Sequence, residues 1–216
     1  MQEMNLDTLF GQGKIRLAEI SVFNWGSFHN LHTARIDPEG TLITGDNGAG
    51  KSTFIDGLMA LLQPASKASF NVAAAQGDRS DRSLVTYMRG SYGSEHDGST
   101  TKVKSKREKA VTTALRALYI AEDGSQITLI GLFWLGQGKN SLSDVNRLYM
   151  IASRNVLLTE VLEIFADGNT RQLKQHFNPK TDQRIHYFES DFKSYQDMYR
   201  KYLFMDNQNA PALLSR

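Results

Sequence analysis

The sequence has no cysteine and no long uninterrupted apolar run. Without cysteine there are no disulfides and no thiolate zinc sites, an absence that fits the cytoplasm. No stretch reaches the roughly 18 apolar residues that cross a bilayer, so we expect no transmembrane helix and no membrane partner. The opening MQEMNLDTLF lacks the basic and apolar regions of a secretory signal. The 216 residues are long enough for one large domain or two small ones.

Net charge is small, and the basic residues are concentrated in one stretch. The formal net charge is +2, yet residues 101–116 carry six basic side chains against one acid. The basic residues are Lys102, Lys104, Lys106, Arg107, Lys109 and Arg116. Such a cluster on a near-neutral background suggests contact with a polyanion, and a solvated loop is the alternative interpretation.

The first third of the chain predicts three strands and a helix. Residues 15–24 alternate apolar and polar side chains as a half-buried strand does, and a second strand is predicted at 27–36 after a turn. Residues 41–44 are predicted as a short buried strand that leads into a glycine-rich turn. A helix is predicted at 52–62, with its apolar side chains on one side. These side chains are Phe54, Ile55, Leu58, Met59, Leu61 and Leu62.

The middle third predicts a long loop and then a set of strands. Residues 65–109 are rich in Ser, Gly, Ala, Asp and Arg, and we expect a flexible basic insertion with one helical piece at 83–90. Strands are predicted at Val111 to Ile120, Gln126 to Leu135 and Arg147 to Ala152. The sequence EDG between the first two predicts a hairpin turn.

The last third predicts helices. Two short ones are expected at 158–165 and 172–177, and a longer one begins after Ser190 or Asp191 as the N-cap. Its apolar side chains recur at intervals of three and four: Phe192, Tyr195, Tyr199, Tyr202 and Leu203. This spacing favours core or coiled-coil packing over a nucleotide stack.

The glycine-rich turn carries the most specific motif. Residues 45–52 read GDNGAGKS between a predicted strand and a predicted helix, the context that marks a phosphate-binding loop. Glycines permit positive φ angles that bring N–H groups against phosphate oxygens, and the helix N-terminus adds partial positive charge. Lys51 is expected to reach the β and γ phosphates, and the Ser52 hydroxyl to ligate Mg²⁺. The predicted ligand is a nucleoside triphosphate with Mg²⁺.

The groups needed for hydrolysis are harder to find. Hydrolysis requires a carboxylate that holds Mg²⁺ and a group that orients water. Glu122 and Asp123 follow an apolar run, but they continue into Gly124 and favour a hairpin turn over a catalytic role. We therefore expect an incomplete catalytic set, with Lys51 as its one member through stabilisation of phosphate charge.

The phosphate loop and its flanks resemble the N-terminal half of an ABC-type ATPase head of the SMC, Rad50 and RecF kind. GDNGAGKST followed by FIDGLMALL, and the turn FNWGSF before them, carry the resemblance. FNVAA at 70–74 and RSLVTYMRG at 82–90 narrow it to the SMC-like subunit of Wadjet anti-plasmid systems (JetC) and its MukB- and MksB-like relatives. The resemblance covers residues 15–155 well and the remainder loosely.

The resemblance implies a fold and a set of site residues. The implied fold is α/β, a P-loop NTPase of the ABC/SMC head type, with an antiparallel β lobe and C-terminal helices that lead to a coiled coil. Arg82 or Arg89 would lie near nucleotide or DNA, with an exposed helix arginine as the alternative. Gln208 and Gln137 are weak matches to the family's Q-loop glutamine. ATP and Mg²⁺ would be bound by Gly45, Asp46, Asn47, Gly48, Ala49, Gly50, Lys51, Ser52 and Thr53, with Asn24 and Trp25 near the nucleotide unless Trp25 only packs.

The resemblance also implies partners. A C-terminal half-head would supply the signature motif and the Walker B carboxylates, and a second head would complete a homodimer. Kleisin-like and accessory subunits, a nuclease and double-stranded DNA would follow in a Wadjet-like complex. The candidate DNA contacts are Lys102, Lys104, Lys106, Arg107, Lys109 and Arg89. The implied activity is ATP hydrolysis coupled to DNA loop extrusion in anti-plasmid defence, inactive in this chain alone.

Three alternatives stay open at this stage. A MksB- or MukB-like condensin would use the same head to organise chromosomes, and a RecF- or Rad50-like head would serve repair. A stand-alone NTP-binding module would never hydrolyse its ligand. In each case we expect a tail at 1–14, a half-head at 15–155 and a helical region at 156–216 leading toward a coiled coil. The absent half predicts exposed apolar surface and poor solubility or self-association.

Overall fold

The computed structural model describes residues 15–64, 83–97, 100–166 and 168–204. Several sequence predictions fall outside these ranges: the tail at 1–14, the FNVAA stretch, Arg82 and Gln208. The side chains of 93–103 are also outside the description, Lys102 among them. Within the described ranges, no helix has both the length and the apolar character needed to cross a membrane.

The described residues form two sheets and a set of surrounding helices. The strands are β1 (Ile15–Phe23), β2 (Leu31–Arg35), β3 (Ser91–Asp97), β4 (Thr100–Ser105), β5 (Val111–Ala121), β6 (Gln126–Leu135), β7 (Asn146–Ala152) and β8 (Ile185–Glu189). The helices are α1 (Lys51–Leu62), α2 (Leu84–Arg89), α3 (Leu158–Ile164), α4 (Thr170–His176) and α5 (Phe192–Phe204), with a 3₁₀ turn at Leu142–Asp144.

The main sheet has six antiparallel strands in the order β2-β1-β5-β6-β7-β8. The register pairs Phe23 with Ala114 and Val111 with Leu135. The end of β1, the start of β5 and the end of β6 therefore lie at the same end of the sheet. The second sheet is the β3–β4 hairpin.

Both faces of the main sheet are covered. One core cluster joins the sheet to α1, α2 and α5, and the other joins it to α3 and α4. Alternate residues of β6 belong to opposite clusters, with Leu129 and Phe133 on one face and Ile130 and Leu132 on the other. Burial on both faces explains why β6 is almost uniformly apolar and does not alternate.

Helix α5 packs on the sheet through its tyrosines. Tyr195, Tyr199 and Tyr202 are buried, and Tyr195 stacks on Tyr149 of β7 with ring centroids 4.9 Å apart. The core interpretation of this aromatic row is confirmed. Strand β8 was missed, because its five residues lie in a region that predicted helices. The division at residue 155 and the coiled coil stay predictions.

Four expectations about local structure need correction. The predicted strand at 41–44 is irregular and exposed, with Leu42 86% and Ile43 38% exposed, because no described strand runs beside it. The basic insertion is not one loop, since β3 and β4 occupy much of its second half. The predicted strand at 27–36 is shorter, since Asn30 has a φ of 61° just before β2. Helix α1 buries Phe54, Leu61 and Leu62 as expected, but Ile55 is 41% exposed and the unexpected residues Asp56, Gly57 and Ala60 are buried. Its buried residues are Phe54, Asp56, Gly57, Ala60, Leu61 and Leu62.

Candidate functional site

The glycine-rich turn leads directly into α1. Gly45, Gly48 and Gly50 have φ angles of 146°, 85° and 94°, which side-chain-bearing residues rarely adopt. Gly50 is the N-cap of α1, and no described side chain caps this helix. The N–H groups of the first turn are therefore open to an anion, and the helix dipole favours negative charge there. This end of α1 has the geometry of a phosphate site.

Lys51 lies across the mouth of this loop. Its ammonium group donates hydrogen bonds to the carbonyl oxygens of Gly45, at 2.5 Å, and Asp46, at 2.9 Å. Both acceptors are neutral, so an anionic phosphate oxygen in reach would be a stronger acceptor. The position agrees with the phosphate role that the sequence predicts for Lys51.

The wall behind the loop is built from the FNWGSF turn and α2. Trp25 is fully buried, its indole N–H donates to the Thr53 carbonyl at 2.7 Å, and its ring stacks on Tyr87 at 4.5 Å. The Tyr87 hydroxyl donates to the carboxylate of Asp56, which is buried in α1. Trp25 therefore has the packing role, and these contacts fix the turn, α1 and α2 to one another.

Gly26 sits at the tightest point of this wall. Its φ is 54°, and a Cβ placed there would overlap the Thr53 methyl group and lie 3.2 Å from the Tyr87 ring. Its N–H donates to the Tyr87 carbonyl at 2.8 Å. Only glycine satisfies both the backbone conformation and the close approach.

The loop and this wall enclose an open cleft of about 770 Å³. The cleft holds two cationic side chains, Lys51 and Lys106, and no carboxylate among the described residues that line it. Tyr92, at the start of β3, also lines it and is 65% exposed. Its lining residues are Gly26, Ser27, Asn47, Gly48, Gly50, Lys51, Ser52, Thr53, Thr86, Tyr87, Gly90, Ser91, Tyr92 and Lys106.

Asn24 does not take the position expected for it. Its side-chain N–H₂ donates to the Thr112 carbonyl at 3.1 Å, and its side-chain oxygen accepts from the Asn30 N–H at 3.0 Å. The first bond holds the turn against β5, and the second joins the turn to the residue just before β2. Among the described residues, it is Gly26 and Ser27 of this turn that line the cleft.

Arg89 is not available to DNA. It is only 4% exposed, because its guanidinium group lies under the loop after β6. It donates to the carbonyl oxygens of Arg107 (3.1 Å), Lys109, Gly136 (3.1 Å) and Lys139 (2.6 Å), and to the side chain of Asn140 (3.2 Å). Burial lowers the pKa of Arg89 from its ordinary value. The expected DNA or nucleotide contact by Arg89 is therefore wrong.

Arg107 likewise has a structural role. Its guanidinium group joins the end of α2 to the FNWGSF turn, and burial lowers its pKa to about 10. It donates to the carbonyl oxygens of Met88 (2.7 Å), Gly26 (2.8 Å), Tyr87 (3.0 Å) and Phe28 (3.3 Å). The side chains of Lys104, Lys106 and Lys109 are exposed. DNA contact by Lys102, Lys104, Lys106, Arg107 and Lys109 stays a prediction.

The two candidate catalytic carboxylates lie far from the phosphate loop. Glu122 and Asp123 form the turn after β5, and the Gly124 N–H donates to the Ala121 carbonyl at 3.0 Å. Eleven residues of β5 separate this turn from the Asn24 end, a span of about 35 Å. The hairpin interpretation is confirmed and the catalytic alternative is wrong. Gln137 lies in the loop after β6 and does not line the described cleft.

Sequence reasoning missed several residues of the site. Asp56 and Tyr87 lie in helices α1 and α2 and hold the wall together, and Thr86 and Tyr92 line the cleft. A usable signal existed for Asp56: it is a lone carboxylate among the apolar and small residues of α1. Nothing comparable indicated Tyr92, whose neighbours are polar and glycine-rich.

The glycine loop, the open helix N-terminus and Lys51 together define a phosphate-binding loop of the NTPase class. Comparison with protein families agrees: residues 17–77 match the model described as the P-loop containing region of AAA domain. Among curated proteins, none matches the chain. The chain thus carries a P-loop NTPase region, a class that typically binds nucleotide with Mg²⁺. Ser52 lines the cleft in the first turn of α1, and a hydroxyl is a residue type that fits this ion.

Proposed function

We propose that this chain binds ATP with Mg²⁺ as one part of an SMC-like ATPase head that a further lobe completes. The observation that carries the proposal is the pairing of an open phosphate loop with uncovered apolar side chains beside it. Leu42 and Ile43 come just before the loop, and Ile55 follows it in α1. All three are exposed to solvent. Exposed large apolar side chains that lie together usually mark a contact surface.

The absence of a carboxylate from the described cleft lining also supports a second lobe. Phosphoryl transfer to water needs a group that holds Mg²⁺ opposite the Ser52 hydroxyl and a group that orients the water. Glu122 and Asp123 are excluded by distance. A C-terminal half-head, as the resemblance implies, would supply both groups and would cover the residues around Leu42.

In this proposal ATP closes two completed heads and hydrolysis opens them, so the nucleotide's preference for the closed state drives the cycle. The work done would be DNA loop extrusion, in the cytoplasm and together with kleisin-like subunits and a nuclease. Support for the plasmid-defence role is the resemblance of FNWGSF and RSLVTYMRG alone. A condensin for chromosome organisation is the alternative, and the presence or absence of a nuclease gene beside this one would discriminate.

A module that binds the nucleotide and never hydrolyses it is the second candidate. The cleft lining favours it for the chain alone, because two cations and no described carboxylate suit binding better than turnover. It predicts tight binding that does not change when a C-terminal half-head is added.

Nucleotide binding and ATP turnover together test the proposal. Fluorescent ATP titrated with Mg²⁺ should bind the chain, and Lys51→Ala should lose about tenfold or more in affinity, since one charge-assisted contact is lost. Turnover should be absent from the chain alone and appear when a C-terminal half-head is added. Lys51-dependent turnover by the chain alone would contradict the two-lobe proposal, and unchanged binding by Lys51→Ala would contradict nucleotide binding at this loop.

A further inference from the structure

Lys106 belongs by sequence to the basic stretch but by position to the phosphate-loop cleft. It follows β4, lines the cleft, and its ammonium group donates to the Ser27 carbonyl at 3.2 Å. The Ser27 hydroxyl oxygen in turn lies 3.0 Å from the point that a Cβ on Gly50 would occupy. One residue therefore separates Lys106 from the N-cap of α1, where phosphate is expected.

The backbone around Lys106 is firmly held. Its N–H donates to the Gly90 carbonyl at 3.3 Å, and the N–H of Arg107 donates to the Arg89 carbonyl at 3.0 Å. The Arg107 guanidinium then bonds to four carbonyl oxygens of the wall. Because its attachment point is fixed, Lys106 loses less conformational freedom on binding an anion than a lysine on a loose loop.

The charge balance of the cleft favours an anion at this place. Lys51 and Lys106 both line it, and no described carboxylate does. In the structure Lys106 bonds to a neutral carbonyl, which is a weaker acceptor than a phosphate oxygen. An exchange of this acceptor for a phosphate costs no existing ion pair among the described contacts of Lys106.

We propose that Lys106 binds the phosphate chain of the nucleotide together with Lys51, and is not a DNA contact. The inference rests on the proposed nucleotide binding and adds a second cation to that site. It divides the basic stretch by role: Arg107 holds the wall, Lys106 contacts the nucleotide, and Lys109 remains a candidate for DNA.

The test compares matched lysines three residues apart in the full chain. Binding of fluorescent ATP with Mg²⁺ is measured at about 0.1 M salt for Lys106→Gln, Lys106→Arg and Lys109→Gln. Lys106→Gln should weaken binding about tenfold, and Lys106→Arg should stay within about threefold because it keeps the charge. Lys109→Gln, whose side chain is exposed and outside the described cleft lining, should change affinity less than about twofold.

Thermal unfolding and duplex DNA binding distinguish a lost nucleotide contact from misfolding and from a lost DNA contact. Thermal unfolding of Lys106→Gln should match the parent chain, since the side chain is exposed. If Lys51→Ala loses binding while Lys106→Gln behaves like Lys109→Gln, the inference fails and the proposed function stands. If Lys51→Ala binds normally, both fail. If Lys106→Gln loses duplex DNA binding and keeps its ATP affinity, Lys106 is a DNA contact and the inference is overturned.

Discussion

The phosphate-loop region and the half of the molecule formed by β7, β8 and α3–α5 differ in the partners of several cationic side chains. In the second region arginines meet carboxylates: Arg154 contacts Glu160 at 2.9 Å, and Arg184 contacts Asp182 at 3.0 Å. In the first region Lys51, Arg89 and Arg107 donate mainly to neutral carbonyl oxygens. Paired charges cancel, whereas positive charges held by carbonyl groups leave a positive potential. The difference favours the phosphate-loop region as the proposed polyanion site.

The two regions also differ in how completely they are covered. The aromatic side chains of α5 are buried against β7 and β8, and α3 and α4 cover the opposite face. Beside the phosphate loop, Leu42 remains 86% exposed. The face under α5 is therefore more completely covered than Leu42, and the FNWGSF turn meets α1 and α2 through close contacts. Substitutions at those contacts should change unfolding free energy and ATP binding differently in the two regions.

The largest expected effect is at Gly26, compared with Gly124 at the far end of β5. Both have positive φ, but a Cβ on Gly26 would overlap Thr53, whereas a Cβ on Gly124 meets no atom within 4 Å. Gly124→Ala should cost about 1 kcal/mol of unfolding free energy for its backbone conformation alone. Gly26→Ala should cost about 2–4 kcal/mol, because overpacking is added, and should weaken ATP binding.

Urea unfolding followed by circular dichroism measures both variants. Equal losses of stability in Gly26→Ala and Gly124→Ala would show that Thr53 moves aside easily. The FNWGSF turn would then not be fixed against α1, and its role in shaping the cleft would be withdrawn.

The same close contacts explain which parts of the fold were predictable. β5, β6 and their turn follow from local signals, namely long apolar runs on either side of EDG. The face of α1 was only partly predictable, because the helix approaches the sheet at the small residue Gly57, where a Cβ would lie 3.1 Å from Val22. Close approach of a helix to a strand selects small side chains, and a count of apolar residues overlooks them. β3 and β4 were missed because their sequences, SYGSEHD and TTKVKS, are polar and show no apolar alternation.

The site was predictable where its residues are adjacent in sequence. The motif GDNGAGKS predicts a nucleotide ligand, because the glycine loop, the start of the helix and the lysine are contiguous in sequence. The roles of Arg89 and Arg107 were not predictable, because the sequence does not show which guanidinium groups bond to backbone carbonyl oxygens in the fold. Tyr92 and Lys106 are distant in sequence from the glycine loop. They line the cleft only because the chain comes back to it after α2 and again after β4.

A smaller effect is expected at Tyr87, compared with Tyr187 of β8. The Tyr87 hydroxyl donates to the buried Asp56 carboxylate, and the Tyr187 hydroxyl donates to the Asp191 carbonyl at 2.6 Å. Hydrogen bonds to charged groups are worth more, so Tyr87→Phe should cost about 1.5–3 kcal/mol and Tyr187→Phe about 1 kcal/mol. Only Tyr87→Phe should also weaken ATP binding. A Tyr187→Phe variant with equally weakened ATP binding would mean that the two regions do not act separately.

The smallest effects are expected for two tyrosines of α5, one of which joins the regions. The Tyr199 hydroxyl donates at 2.6 Å to the carbonyl of Leu62, at the end of α1, whereas the fully buried Tyr195 hydroxyl has no partner among the described residues. Burial raises the pKa of both phenols, so both hydroxyls keep their protons at neutral pH.

Removal of the two hydroxyls should therefore act in opposite directions. Tyr199→Phe leaves a carbonyl of the last turn of α1 without this donor and should cost about 1 kcal/mol. Tyr195→Phe removes a buried polar group that makes no described bond, so it should be neutral or stabilise the chain by up to about 1 kcal/mol. Urea unfolding of both variants measures the contrast, and a clear loss in Tyr195→Phe would contradict it. If Tyr199→Phe also lowers ATP affinity and Tyr195→Phe does not, the bond from α5 holds α1 in place. The geometry of the phosphate loop then depends on the region formed by β7, β8 and α3–α5.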